Sequence, residues 1–326
     1  VQLETASRAA RRAGILPAGG VVSRRTHAEN RSLFAVLVAA WGALAFLGLG
    51  LPCAEAASWV DAVGRRVDVP DAPARIVSLV PSVTETLFAL GLGEQVVGVT
   101  EFCTFPPGAL AKPRVGSYAA PSLEAVAALT PELVFASADM TRPAAVARLE
   151  SLGIPVYVVY PRSLAGTVQM LRDVGAVAGA PRAGQGLAQE LESTVERVKA
   201  AVSGRERPGV LLCVMVQPLV VTGPGTLADD LITTAGGRNC VPPGPAGYPT
   251  WGPEAVLAAD PDVIVVSPHP GQPDPGALFR KWPELRAVAQ RRVVAVETDW
   301  VHRPGPRLSL GLEALARAIH GAEVLP

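Results

Sequence analysis

Residues 121–137 read PSLEAVAALTPELVFAS and residues 251–267 read WGPEAVLAADPDVIVVS. Aligned without a gap, the two stretches share six of seventeen positions. Other positions are like for like: Glu132 aligns with Asp262, Leu133 with Val263, Val134 with Ile264. In each copy a glutamate opens a short helical pattern, a Pro-acid pair ends it, and an apolar run closes on serine. One supersecondary unit that recurs 130 residues further on is too widely spaced for a solenoid. It fits two similar lobes, each supplying the same element at an equivalent place, with a cleft between them.

The residues around the repeat extend the pattern. Arg75–Val80 is a short buried strand, and Ser82-x-x-Glu85 reads as a capping box for a helix that stops at Gly91. Strands follow at 96–100 and 155–160, with a helix over 143–152. Continuous apolar strands alternating with helices imply parallel βαβ units covered on both faces. Residues 182–203 differ in kind. Leu187, Leu191, Val195 and Val198 recur every three to four residues among charges, which predicts one long amphipathic helix. After Gly204 the first theme resumes: strands at 209–216 and 219–222, a helix over 226–235, a Gly/Pro loop through 236–252, and the second repeat copy. A helix over 277–288, a strand over 292–297 and a closing helix from about 307 complete the chain. The expected fold class is α/β, with two Rossmann-like lobes of mainly parallel sheets joined by a single long α-helix and a ligand cleft between them. The expected division is an extension and signal peptide over 1–57, an N-terminal lobe over 58–181, the linking helix over 182–204 and a C-terminal lobe over 205–326. A continuous helix resists bending, so only modest motion between the lobes is expected.

At 326 residues, with 49% hydrophobic content, the chain holds enough apolar surface for real cores. Net charge is zero and there is no basic helix, which excludes the electrostatic footprint of a nucleic-acid binder. The 32 Gly and 31 Pro lack a collagen-like period and sit between apolar runs as loop chemistry. Residues 33–51 carry no charge, follow Arg24, Arg25 and Arg31, and precede Ala54-Glu55-Ala56. Positive flank, apolar core and small-x-small site describe a cleavable secretory signal peptide. A retained membrane anchor is the alternative, since nineteen residues just span a bilayer. Lipidation at Cys53 is disfavoured by Pro52. Cys213 lies in an apolar run and reads as a core thiol, while Cys103 and Cys240 sit in Pro-rich loops and are the candidates for a disulfide.

No nucleophile elbow, P-loop, HExxH or GxGxxG motif is present, and the histidines at 27, 269, 302 and 320 form no ligand cluster. The expectation is a binding protein without catalytic residues, metal or cofactor. Ligands of open α/β sheets sit at the carboxyl ends of the strands. There the loops carry rings: Phe102 and Phe105, Tyr118, Tyr248, Trp251 and Trp300. Tyr118 and Tyr248 each precede the repeat's glutamate by six residues, so the duplication reaches an aromatic in both lobes. Rings with few polar groups suit a large, flat, mostly neutral ligand. Asp299 and Arg303, four apart on a turn, either pair with each other or offer a donor and an acceptor to the ligand. Glu124 and Glu254 open their helices, where an acid offsets the helix dipole. Presented on one face, they also form two carboxylates at a fixed separation, suited to a two-fold partner.

RIVSLVPSVTETLFALG, VVGVTEFCTFPP, SLEAVAALTPELVFAS and TDWVHRPGPR together resemble the vitamin B12-binding members of the helix-linked periplasmic substrate-binding proteins of ABC importers. The likeness covers roughly 74–320. It implies a soluble, monomeric periplasmic protein that captures cobalamin or a related corrinoid and delivers it to an ABC permease dimer. It also implies ligand contacts at Phe102, Tyr118, Tyr248, Asp299 and Arg303, and transporter contacts at Glu124 and Glu254. The pattern departs from the best-known B12 binder at Val214, where that protein has an aromatic, at Ala235, where it has the first cysteine of a disulfide, and at Tyr118 and Tyr248, which replace tryptophans. Haem or ferric-siderophore binding is the alternative within the class, with Tyr118, Tyr248 and His302 as candidate haem contacts. An envelope hydrolase or reductase is a further one.

Overall fold

The structure is a computed structural model and describes residues 56–245, 247–267 and 275–325. The segment 33–51, Ala54, Glu55, Cys53, His27 and His269 lie outside these residues.

The chain enters through an antiparallel hairpin, β1 (Ala56–Val60) and β2 (Arg66–Pro70). Sequence reading did not foresee this element. Its turn is organised by Asp61, whose carboxylate accepts the backbone N–H groups of Val63 and Arg65 and pairs with the Arg65 guanidinium. The same carboxylate accepts from the N–H of Val158, which fastens the hairpin to the first lobe.

That lobe is a parallel sheet of β3 (Ile76–Ser78), β4 (Val96–Val99), β5 (Leu133–Ser137) and β6 (Val156–Val159), in the order β4-β3-β5-β6. Its central strands are buried on both faces, as their unbroken apolar runs require. The second lobe holds β7 (Gly209–Val216), β8 (Leu219–Val221), β9 (Arg238–Asn239), β10 (Val263–Val266) and β11 (Val293–Ala295). Its order is β11-β10-β7-β8, with β9 also on β7, and only the β7–β8 pairing is antiparallel among the described strands of this sheet.

The repeat is a repeat of structure in detail. Leu123–Ala128 and Pro253–Ala259 are helices, and each leads through a residue of positive φ, Thr130 at 42° and Asp260 at 35°, into β5 or β10. Left-handed backbone is unusual for such side chains. The next acid then anchors each unit to its lobe. Glu132 accepts the N–H of Ala74, just before β3, at 2.6 Å, and Asp262 accepts the N–H of Gly209, at the start of β7, also at 2.6 Å.

Between the sheets runs one helix, Pro181–Val202, as expected, started by proline in its first turn. Its buried seam is Gly184, Ala188, Leu191, Thr194 and Val198, with Leu187 and Val195 half-buried at its margin. A preceding helix, Leu164–Val177, had not been read from the sequence. It packs so closely that a methyl on Gly175 would lie 2.6 Å from the Gly184 Cα. Ion pairs tie the linking helix to both sides: Arg172 to Glu192 and Arg197 to Glu313, each at 2.8 Å. Under it a single apolar cluster continues from Leu87, Phe135 and Leu171 to Leu231, Leu312 and Ile319. Each fully buried leucine of this kind contributes about 2 kcal/mol. The shared core joins the two lobes.

Two expectations are corrected. The helix Pro81–Ala89 starts on proline after Val80 and has no side-chain cap. Ser82 and Glu85 are both buried, and Glu85 is directed to the other lobe. The expected helix over 277–288 is two short pieces, Pro275–Phe279 and Arg286–Ala289. Pro283 lies between them and lacks the N–H that a continuous helix needs.

Candidate ligand cleft

The strands of both sheets direct their carboxyl ends toward a cleft whose enclosed part has a volume of about 270 Å³. The first lobe contributes Ser82 after β3, Ser137 and Asp139 after β5, and Tyr160 and Arg162 after β6. The second contributes Thr226, Tyr248, His302 and Pro304. The Ser137 hydroxyl donates to Asp139, which fixes the carboxylate at the rim. His302 Nε2 lies 3.1 Å from the hydroxyl of Ser267, the residue after β10 and the last of the second repeat copy.

The aromatic residues divide by lobe. Phe102 and Tyr118 stack on each other with centroids 4.7 Å apart, tilted by 48°. Phe102 and Phe105 keep 43% and 40% of their surface exposed, high for phenylalanine in a folded chain. Tyr248 stands in the opposite lobe and is half-exposed. The loop carrying it is drawn in by Gly223, whose N–H donates to the Gly247 carbonyl at 2.9 Å and where a side chain would collide with that oxygen. Desolvation by burial, helped by the carboxylate of Asp139, holds the Tyr248 hydroxyl above its ordinary pKa.

Of the ligand contacts expected from the sequence, only Tyr248 lines this cavity; Phe102, Tyr118, Asp299 and Arg303 lie outside its lining, and Trp251 and Trp300 are held elsewhere by packing. Trp251 packs on the apolar cluster of the second lobe that holds Val241, Val256 and Ile264, and its N–H donates to Leu219. Trp300 is half-buried, and its backbone lies so near the helix Leu308–His320 that a Cβ on Gly311 would sit 2.1 Å from the Trp300 carbonyl oxygen. Glu124 and Glu254 are also away from the cavity. Both are exposed in the first turns of their helices, and Glu124 accepts from the Ser122 hydroxyl at 3.3 Å.

Asp299 and Arg303 do pair, Nε to Oδ1 at 2.9 Å, but the pair belongs to a larger network. Arg307 sets Nε and one terminal nitrogen 2.8 and 2.6 Å from the two carboxylate oxygens of Glu85. It also reaches Asp299 at 3.4 Å. Arg303 approaches Glu85 at 3.2 Å and the Phe102 carbonyl at 3.3 Å. The Arg307 guanidinium lies 4.1 Å from the centroid of the Phe105 ring. The hydrogen bond to Glu85, more than any other influence, raises the Arg307 pKa. Sequence reading missed Glu85 and Arg307 as site residues. The usable signal was an acid inside the otherwise apolar helix VTETLF, where a cap role hid it. On the other flank, Arg162 donates to the Gly225 carbonyl at 3.3 Å, and Asp230 accepts from the Leu164 N–H at 2.7 Å.

The candidate disulfide is absent. Cys103 is buried between the hydroxyls of Thr84 and Thr100, Cys240 sits behind β7, and both are free thiols. Among the described residues no group of His, Cys, Asp or Glu is arranged to hold a metal ion.

Comparison with known proteins agrees with this geometry. The periplasmic binding protein family profile matches residues 76–299. A vitamin B12-binding protein of Photorhabdus laumondii is 28% identical over 250 residues, covering 76% of this chain and 89% of that one. Among solved structures, the periplasmic vitamin B12-binding protein BtuF of Vibrio cholerae superposes with a TM-score of 0.69 at 27% identity, covering 76% of this chain and 96% of that one. The periplasmic haem-binding protein RhuT of Roseiflexus sp. RS-1 superposes with a TM-score of 0.67 at 30% identity, covering 76% and 97%. The two-lobed fold, the helix between the sheets and the interlobe cleft are those of such proteins, whose ligand is cargo and not a cofactor. The chain belongs to the periplasmic binding protein family and is an extracytoplasmic substrate-binding protein of ABC importers, not an enzyme.

Proposed function

We propose that this protein captures a corrinoid, cobalamin in the first instance, between its lobes and delivers it to an ABC permease dimer. The observation that supports this reading is exposed aromatic surface in both lobes: Tyr248 lines the cavity from the second, and Phe102, packed on Tyr118 in the first, lies by Arg303, next to the lining residues His302 and Pro304. Such rings offer flat apolar faces to a flat ligand. The cavity volume of about 270 Å³ is below the usual range of ligand pockets, so a corrinoid would lie across the mouth with only part of it inside. Arg303 and Asp299 would meet polar groups of the ligand. The B12-binding relatives support the same choice.

The lobes are taken as 58–181 and 205–326, with the linker over 182–204. Glu124 and Glu254, exposed and clear of the cavity, are the proposed contacts to the permease, and the protein is proposed to act as a monomer. Export through a cleaved leader at 33–51 would place it in the periplasm.

Haem is the second reading. It is favoured by His302, a residue of the cavity lining whose Nε2 is hydrogen-bonded to Ser267, and by the haem-binding neighbour. Titration calorimetry of the purified chain with cyanocobalamin and, separately, haemin decides between them. Binding of cyanocobalamin supports the first reading. Haemin binding that is lost in His302→Ala, with no response to cyanocobalamin, would replace it with the second.

A further inference from the structure

The charged network at the cleft contains two acids and two arginines, and its members do not have equal holds on each other. Glu85 belongs to the first lobe and its side chain is 2% exposed. Arg303 and Arg307 come from the second lobe and are 20% and 17% exposed. Arg307 grips Glu85 as a two-pronged fork and is covered by the Phe105 ring. Arg303 pairs with Asp299 of its own lobe at 2.9 Å, and toward the first lobe it has single, longer contacts to Glu85 and to the Phe102 carbonyl. Gly305, between the two arginines, comes so near the first lobe that a Cβ would lie 3.3 Å from the Ser82 carbonyl oxygen.

A buried carboxylate stripped of its partner is strongly unfavourable. Bidentate guanidinium pairs are the strong ones, and single contacts beyond 3 Å are weaker. Arg303 can therefore leave Glu85 without stranding it, whereas Arg307 cannot. We propose that Glu85 and Arg307 are positioning residues that clamp the lobes together in the ligand-free protein, and that Arg303 is the exchangeable member, turning from Glu85 to an acceptor oxygen of the ligand while Arg307 keeps Glu85 paired. The exchange half rests on the proposed corrinoid reading; the clamp half does not. Because the clamp spans the lobes, it also sets the separation between Phe102 and Tyr248.

Hydrogen–deuterium exchange of the ligand-free purified chain, read by peptide, tests the clamp. In Glu85→Gln and in Arg307→Lys, which keeps the charge but not the fork, amides over 298–303 are expected to exchange about tenfold faster or more, beyond any rise in β3 and β10 that lower global stability brings. A purely structural loss would speed 298–303, β3 and β10 by the same factor, and that result would overturn the clamp. Arg303→Gln is expected to stay within about twofold of the parent in exchange, yet to weaken cyanocobalamin binding about tenfold. Faster exchange in Arg303→Gln equal to that of Arg307→Lys would contradict the division of roles. If the parent chain binds no cyanocobalamin, the corrinoid reading fails by itself, and the exchange data still decide the clamp.

Discussion

Glu85 and Arg307 meet across the two lobes, with both carboxylate oxygens engaged at 2.8 and 2.6 Å and the acid almost wholly buried. They are more than two hundred residues apart in sequence, on a helix of the first lobe and at the entry of the last helix of the second. Removing the acid leaves two guanidinium groups with Asp299 as the remaining carboxylate of the network. Glu85→Ala should lower unfolding free energy by about 3 kcal/mol, the low end for a broken buried pair because the arginines retain some solvent. Glu124→Ala, at an exposed site, should change it by less than about 0.5 kcal/mol. Urea denaturation of the two variants makes the comparison.

The rings should separate by role. Phe102→Ala and Tyr248→Ala should each weaken ligand binding about tenfold or more while leaving stability nearly intact, as exposed contact residues do. Trp251→Ala should do the reverse. It removes a ring that packs on the second lobe's core and should cost about 2 kcal/mol of stability with little change in affinity. Calorimetry paired with thermal unfolding reads both quantities. Equal losses of affinity at Trp251 and Phe102 would mean that the second repeat presents two rings to the ligand.

The fold was legible in the sequence because its evidence is local. Apolar runs, Pro-acid ends and one amphipathic stretch mark strands, helix stops and the linker without knowledge of neighbours. The hairpin β1–β2 was missed because its polar alternation resembles a loop and its anchor, Asp61, acts through the distant Val158. The helix Leu164–Val177 was readable from Ser163, which caps it, and from the spacing of Leu164, Val168, Leu171 and Val174. The clamp was not legible. Ser82-x-x-Glu85 satisfies a helix-start pattern, and only the tertiary structure reveals that the acid serves the other lobe.

The thiols carry a pH prediction. Burial pushes the Cys240 thiol up to about 11, despite the nearby Arg238. A thiolate is the reactive form, so at neutral pH the fraction is about one in ten thousand. Alkylation by iodoacetamide should rise about tenfold per pH unit through 8 to 10 in the folded chain. Burial likewise raises the pKa of Cys213, which should react only after unfolding. Quantitative thiol counting under denaturing, non-reducing conditions should find Cys103 and Cys240 reduced. A Cys103–Cys240 disulfide would contradict the structure.

The two exposed glutamates predict a split between binding and transport. The double variant Glu124→Ala, Glu254→Ala should keep ligand affinity within about threefold and cut permease-dependent uptake by an order of magnitude or more. Uptake of labelled cyanocobalamin into cells, alongside calorimetry of the purified variant, separates the two. Loss of affinity instead would mean that the acids reach the cleft.

The central claim is that Tyr248 and the Phe102–Tyr118 pair form a corrinoid site. Calorimetric titration of the purified chain with cyanocobalamin tests it most directly. One ligand per chain with a dissociation constant of about 1 µM or tighter, weakened in both Phe102→Ala and Tyr248→Ala, is the predicted result. Absence of binding at that concentration, with haemin bound in its place, would contradict it.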